Sequence, residues 1–173
     1  LFKARSEASN DWAVYHQGNT SAPETDFLRL NTTGATTDNS NFMNDTAPTS
    51  SVFTVGTGSK VNSDGETYIA YCFAEKQGYS KFGSYTGNGS QDGAFIYTGF
   101  KPAWIMAKRT DAAKNWYIAD SKRSPSNITK AFLVSNSSDA EDTSGDITDA
   151  YFDVLSNGFK MRQDFSHLNA GLN

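Results

Sequence analysis

The sequence is poor in the residues from which most reaction centres are built. It holds one cysteine and two histidines in 173 residues. With Cys72 alone no internal disulfide can form, and cysteine usage leaves the redox compartment open. Cys72 lies in the apolar run 67–73 and reads as a small buried hydrophobe, since a reactive thiolate needs a nearby base. His16 and His167 are remote from each other, and no Cys/His cluster accompanies either, so a zinc-type site is not expected. There is no Gly-x-Ser-x-Gly elbow. The glycine-rich stretch Gly87-Asn88-Gly89-Ser90 lacks the lysine of a phosphate cradle. A glycosidase would need two carboxylates facing across a cleft, and the sequence singles out no such pair among its nineteen acids. Lys and Arg never cluster beyond a doublet or triplet and the formal net charge is −4. Nucleic acid and anionic membranes are therefore not expected as partners. No hydrophobic run approaches the length of a transmembrane helix.

Aromatics, by contrast, are plentiful at 13%, and hydrophobic residues reach 37%. That is enough to fold rather than remain disordered. Short apolar runs separated by Gly, Asn, Asp and Ser read as strands. They fall at 1–4, 12–16, 26–30, 52–55, 66–73, 81–86, 94–98, 103–108, 116–120, 132–134, 152–155 and 159–162. Ser156-Asn157-Gly158, between two of them, is a hairpin signal. No long segment of helical period intervenes, although 139–142 and 146–149 could each form a helical turn. The pattern predicts an all-β protein, an antiparallel β-sandwich. Tyr68, Tyr71, Phe95 and Tyr97 alternate with smaller residues, which predicts that their face is buried. Trp12 and Trp116 are expected to anchor the core.

The sequence also repeats itself. Leu1–Tyr15 aligns with Ile105–Ala119, so that Arg5 meets Arg109, Glu7 meets Asp111 and Trp12 meets Trp116, an offset of 104 (116 − 12). Phe27-Leu28-Arg29-Leu30-Asn31 then meets Phe132-Leu133-Val134-Ser135-Asn136 at an offset of 105 (132 − 27). Gly58-Ser59-Lys60-Val61 meets Gly158-Phe159-Lys160-Met161 at an offset of 100 (160 − 60). A period near 100 residues is the size of a small domain, not of a solenoid repeat. We expect residues 1–75 to be the C-terminal part of one module and 76–173 a second module lacking its last strand. The opening Leu1-Phe2-Lys3 already lies inside a patterned segment. A piece of a longer or processed polypeptide is therefore expected, with an open sheet edge that another segment fills.

The stretch Gly83-Ser84-Tyr85-Thr86-Gly87-Asn88-Gly89, then Gly99-Phe100-Lys101-Pro102 through Lys108-Arg109, opens an ordered set of motifs. Trp116-Tyr117-Ile118-Ala119-Asp120 with Arg123 follows, then Ser135-Asn136 with Ala140-Glu141, then Leu155–Arg162. Gly65–Glu75 closes the set. In this order the motifs resemble a module of marine phage virion proteins, and the resemblance covers essentially the whole chain. It implies a lectin-like or jelly-roll sandwich in a tail fibre, spike or capsid decoration. It also implies a virion-surface or extracellular location and no catalytic residues. The expected partners are other virion proteins and further copies of the chain, a trimer among the arrangements. The first copy departs from the pattern, because His16 stands where the second has Asp120.

A glycan-binding module facing the host surface is the other expectation. Its ligand-binding residues would be Trp116, Asp120 and Asn88, stacking on a sugar and contacting its hydroxyls. Asp120 could alternatively pair with Arg109 or Arg123. No cofactor is expected. The acidic run Asp139-Ala140-Glu141-Asp142 with Asp146 and Asp149 leaves only Ca²⁺ open, without the spacing of a known calcium loop.

Overall fold

A computed structural model describes residues 1–129, 131–142 and 152–171. The chain divides into two compact units. The first is Leu1–Ala74 with Thr110–Ala113, and the second is Glu75–Arg109 with Lys114–Asn173.

In the first unit, strands β1 (Phe2–Ala4), β2 (Ala13–Val14), β3 (Asp26–Arg29), β4 (Thr37–Asp38) and β5 (Tyr68–Ala70) form one antiparallel sheet. Its order is β4-β3-β2-β1-β5. The period of two is visible in β1, where Phe2 and Ala4 are buried and Lys3 between them is not. Phe2, Ala13 and Phe27 face Phe42, Met43 and Val61. The Phe42 ring meets Phe2 edge-on at 5.6 Å and Phe27 at 5.1 Å. Phe42 is delivered by a turn in which its N–H donates to Asn39 O at 2.9 Å. Val61 comes from α1 (Ser59–Asn62), a single helical turn. The layer opposing the sheet is thus loop and turn.

In the second unit the opposing layer is a sheet. Strands β7 (Trp104–Lys108), β8 (Trp116–Asp120) and β9 (Leu133–Val134) form one. Strands β10 (Phe152–Leu155), β11 (Gly158–Met161) and β6 (Phe95–Tyr97) form the other. Ile105, Tyr117 and Ala119 from the first sheet share a core with Phe152, Phe159 and Met161 from the second, joined by Phe132 and Leu168. This is the predicted antiparallel sandwich. Leu155 pairs with Gly158 around Ser156-Asn157, as the turn chemistry predicts.

The repeat is legible in the pairing. Ala13 pairs with Arg29 and Val14 with Leu28, while Tyr117 pairs with Val134 and Ile118 with Leu133. Moved by 104 residues on one strand and 105 on the next, these are the same pairs. The first strand slips. Phe2 pairs with Ala13, and Ala107 with Tyr117, so Phe2 corresponds to Ala107 at an offset of 105 (107 − 2) rather than 104. A one-residue slip exchanges the two faces of a strand, and only the corrected alignment sets core-facing Phe2 against core-packed Ala107.

Four expectations are corrected. Residues 52–55 and 81–86 are not strands, because neither stretch finds a ladder partner among the described residues. Gly56 and Gly58 instead donate to Phe42 O and Asn41 O, each at 2.8 Å, and Tyr85 hydroxyl donates to Leu168 O at 2.7 Å. Ser59–Asn62 is helical where its repeat partner is a strand. Residues 139–142 are not helical, since Asp142 exchanges both backbone hydrogen bonds with Phe132. Cys72 is exposed, lying just past edge strand β5. The expected turn at 146–149 lies outside the described residues.

Candidate functional site

The residues expected to form a binding site are used elsewhere. Trp116 is only 8% exposed and offers little ring surface to a ligand. Its backbone N–H donates to Asn136 Oδ1 at 2.8 Å, and Asn136 Nδ2 donates to Asn115 Oδ1 at 2.9 Å. Ser135 N–H returns a bond to Trp116 O at 3.2 Å. The first unit builds the same clamp: Trp12 N–H to Asn31 Oδ1 at 2.9 Å, Asn31 Nδ2 to Asp11 Oδ1 at 3.0 Å, and Leu30 N–H to Trp12 O at 3.0 Å. One asparagine in each unit therefore closes the end of the ladder where a strand would otherwise leave an amide unpaired.

Asp120 sits at the end of β8. Its Oδ1 accepts the N–H groups of Lys122 and Arg123 at 2.9 and 2.8 Å, and its Oδ2 accepts Arg123 Nε at 3.1 Å. The Arg123 guanidinium continues to Glu141 Oε1 at 2.7 Å. The Arg123 backbone N–H, first among these contacts, holds the Asp120 carboxyl below the usual carboxylate range. Asp120 thus pairs with Arg123, one of the two partners foreseen for it. Asn88 is likewise spent on its own loop. Its N–H donates to Asn169 Oδ1 at 3.1 Å, its Nδ2 to Asp92 O at 3.0 Å, and its Oδ1 accepts Ser90 N–H at 3.1 Å. Trp116 and Asp120 stand at opposite ends of β8, and the hydrogen bonds of Asn88 run to Asn169, Asp92 and Ser90.

Among the described residues, no group of three or more His, Cys, Asp or Glu side chains is placed to hold a metal. Glu141 of the acidic run is engaged by Arg123, and Asp146 and Asp149 lie outside the described residues.

The surface that does present aromatic rings is the outward face of the β10-β11-β6 sheet. Ile96 points into the core, so its neighbours Phe95 and Tyr97 point out, 46% and 65% exposed. The predicted alternation is present, but the aromatic face is the exposed one. Tyr97 pairs with Gly158 and Phe95 with Lys160. A Cβ at Gly158 would lie 2.1 Å from Ile96 O and 2.9 Å from Phe95 Cζ, so only glycine lets the ring lie over the neighbouring strand. Lys160 reaches Asp92 at 2.5 Å and Arg162 reaches Asp153 at 3.0 Å on this face. The side-chain hydrogen bond from Lys160 holds the Asp92 carboxyl low. Two open rings beside paired charges can stack on a flat apolar surface and exchange hydrogen bonds at its rim. The signal in the sequence was Phe-Ile-Tyr opposite Gly-Phe-Lys: the inward members are Ile96 and Phe159.

No helix among the described residues is long and apolar enough to cross a membrane. No curated protein and no solved structure matches the chain. The family described as "Domain of unknown function (DUF7483)" matches residues 1–172, through both units, and the chain belongs to that family.

Proposed function

We propose that this chain is a non-enzymatic structural module of a phage virion surface, in a tail fibre, spike or capsid decoration. The observation that carries this reading is the use to which its most distinctive motif residues are put. Trp116 with Asn136, and Asp120 with Arg123 and Glu141, are among the residues on which the resemblance to virion modules rests, and their contacts brace the sandwich. Repetition of the Trp–Asn clamp in both units suits a protein whose role is to be stacked and repeated. The partners of such a module are other virion proteins and copies of itself, a trimer included. Gold-labelled antibody against the chain, imaged on purified particles, should decorate the particle surface. Label found only in the soluble fraction overturns the proposal, and glycan hydrolysis by the purified chain overturns its non-enzymatic part.

A second reading, recognition of a host-surface glycan, draws on the outward Phe95 and Tyr97. On this reading the binding residues are those two rings with Lys160 and Asp153, in place of Trp116, Asp120 and Asn88. Glycan-array binding lost in Tyr97→Ala, with the fold retained, supports it. Binding that survives both Tyr97→Ala and Phe95→Ala removes the platform from consideration.

A further inference from the structure

The two units differ at one edge of their equivalent sheets. In the first, β1 has β2 on one side and β5 on the other. Leu1, Lys3 and Arg5 turn their backbone groups toward β5. Leu1 N donates to Tyr71 O and accepts Tyr71 N–H at its carbonyl, each at 2.9 Å, and Arg5 N–H donates to Thr67 O at 2.7 Å. In the second unit, β7 has β8 on one side and, among the described residues, no strand on the other. The phase of its ladder is set by Ser121 N–H, which donates to Ala103 O at 2.9 Å. Hydrogen-bonded pairs recur every second residue, so Ile105 and Ala107 bond β8, while Trp104 and Met106 turn their N–H and C=O groups away from it. With Phe2 corresponding to Ala107, Leu1 corresponds to Met106. The outward residues of β7 are therefore in phase with those by which β1 holds β5.

We propose that the β7 edge is a docking site for an extended strand of the β5 type, supplied by another module of this family. The pairing of β1 with β5 is the template. In that register, Leu1 lies opposite Tyr71, Lys3 opposite Ile69 and Arg5 opposite Thr67. A docked strand of this type would run antiparallel to β7, with its counterpart of Tyr71 opposite Met106 and its counterpart of Ile69 opposite Lys108. Trp104 is 57% exposed at the start of this edge, a large ring that an added strand can cover. Lys101-Pro102 before it closes one end of the opening, as charge and proline do where pairing must be confined to a chosen partner.

The test uses the full chain and a synthetic peptide of the sequence 65–74 with serine at the position of Cys72. Amide hydrogen exchange is read by NMR at Trp104 and Met106, and peptide affinity by fluorescence anisotropy. The expected result is saturable binding that slows exchange at both amides at least tenfold. Met106→Pro removes an outward N–H without touching the ladder to β8, so the variant folds and peptide binding falls at least tenfold. Trp104→Lys, which keeps every backbone donor, weakens binding by a smaller factor. A peptide N-methylated at alternate amides should not bind. Absence of binding at millimolar peptide overturns the proposal, as does binding that protects β1 rather than β7 or that ignores both variants. Self-association of the chain that Met106→Pro abolishes, without peptide binding, assigns the edge to a second copy and overturns the occupant named here.

Discussion

The first and second units carry the same clamp under different second layers. In both, a tryptophan amide is closed by an asparagine 19 or 20 residues downstream, with identical pairing beyond it. Opposite that shared sheet, the second unit lays three strands and the first lays Phe42, Met43 and a helical turn. Gly58-Ser59-Lys60-Val61 and Gly158-Phe159-Lys160-Met161 show why. The second has apolar residues at alternate positions and strands on both sides, so Phe159 and Met161 both reach the core. The first has Ser59 where Phe159 stands and, among the described residues, no neighbouring strand, so a local turn satisfies its backbone and only Val61 is buried. Similar sequence yields strand or helix according to what flanks it.

That comparison can be broken most forcefully at Phe27 and Phe132, which occupy the same place in the two cores at 1% and 2% exposure. Phe27→Ala and Phe132→Ala should each cost about 3–5 kcal/mol in urea denaturation. Exchange protection should fall in β1–β5 for the first and in β6–β11 for the second. Equal loss in both units from either substitution would contradict two separate cores.

Gly58 and Gly158 come next. A Cβ at Gly158 would stand 2.1 Å from Ile96 O, whereas one at Gly58 would stand 2.8 Å from Asn41 O. Gly158→Ala should destabilise by about 1–3 kcal/mol and Gly58→Ala by less. The reverse order, read from denaturant midpoints, would show that β6 does not lie as close to β11 as described.

The clamp itself separates the units more finely. Asn136→Ala leaves the amide of a buried tryptophan without a partner and should cost about 1–3 kcal/mol. Asn31→Ala should cost less, because Trp12 is only half-buried and water can replace the lost bond. Equal losses in thermal melts would show that burial of the ring does not govern the clamp.

The smallest effect is on pH. Burial pushes His16 and His167, one in each unit, below the ordinary histidine value of 6.5. Both are favoured neutral in the folded chain, and His16 Nδ1 accepts Gly18 N–H at 3.0 Å in that form. A depressed value means that their contribution is complete above about pH 6.5 and is lost as pH falls toward the folded-state values. The urea midpoint should decline between pH 7 and pH 5.5, where the lowered Asp11 and Asp120 remain ionised. A midpoint that rises on acidification would contradict the burial of both rings.

Most strands were legible in the sequence because apolar runs and turn residues agreed, as at Phe152–Leu155 and Gly158–Met161. The pairing register was legible from Trp12 with Trp116 and Phe27 with Phe132, large residues fixed by the core. It slipped at β1, where the small residues Ala4 and Ala107 fit more than one alignment. The binding residues were the least legible. Trp116, Asp120 and Asn88 combine ring and polar chemistry in sequence; the Asp120–Arg123 pair is local and was foreseen, whereas the Trp116–Asn136 and Asn88–Asn169 bonds join residues distant along the chain. Phe95 and Tyr97 looked like core because alternation tells which residues share a face, not which face meets solvent.

The central claim is that one Trp–Asn clamp, repeated, builds both units. Its most direct test is amide hydrogen exchange at Trp12 and Trp116, measured by NMR in the chain and in Asn31→Ala and Asn136→Ala. Both amides should be protected in the parent, and each substitution should release only its own tryptophan. Release of neither amide, or of both together by one substitution, would contradict the claim.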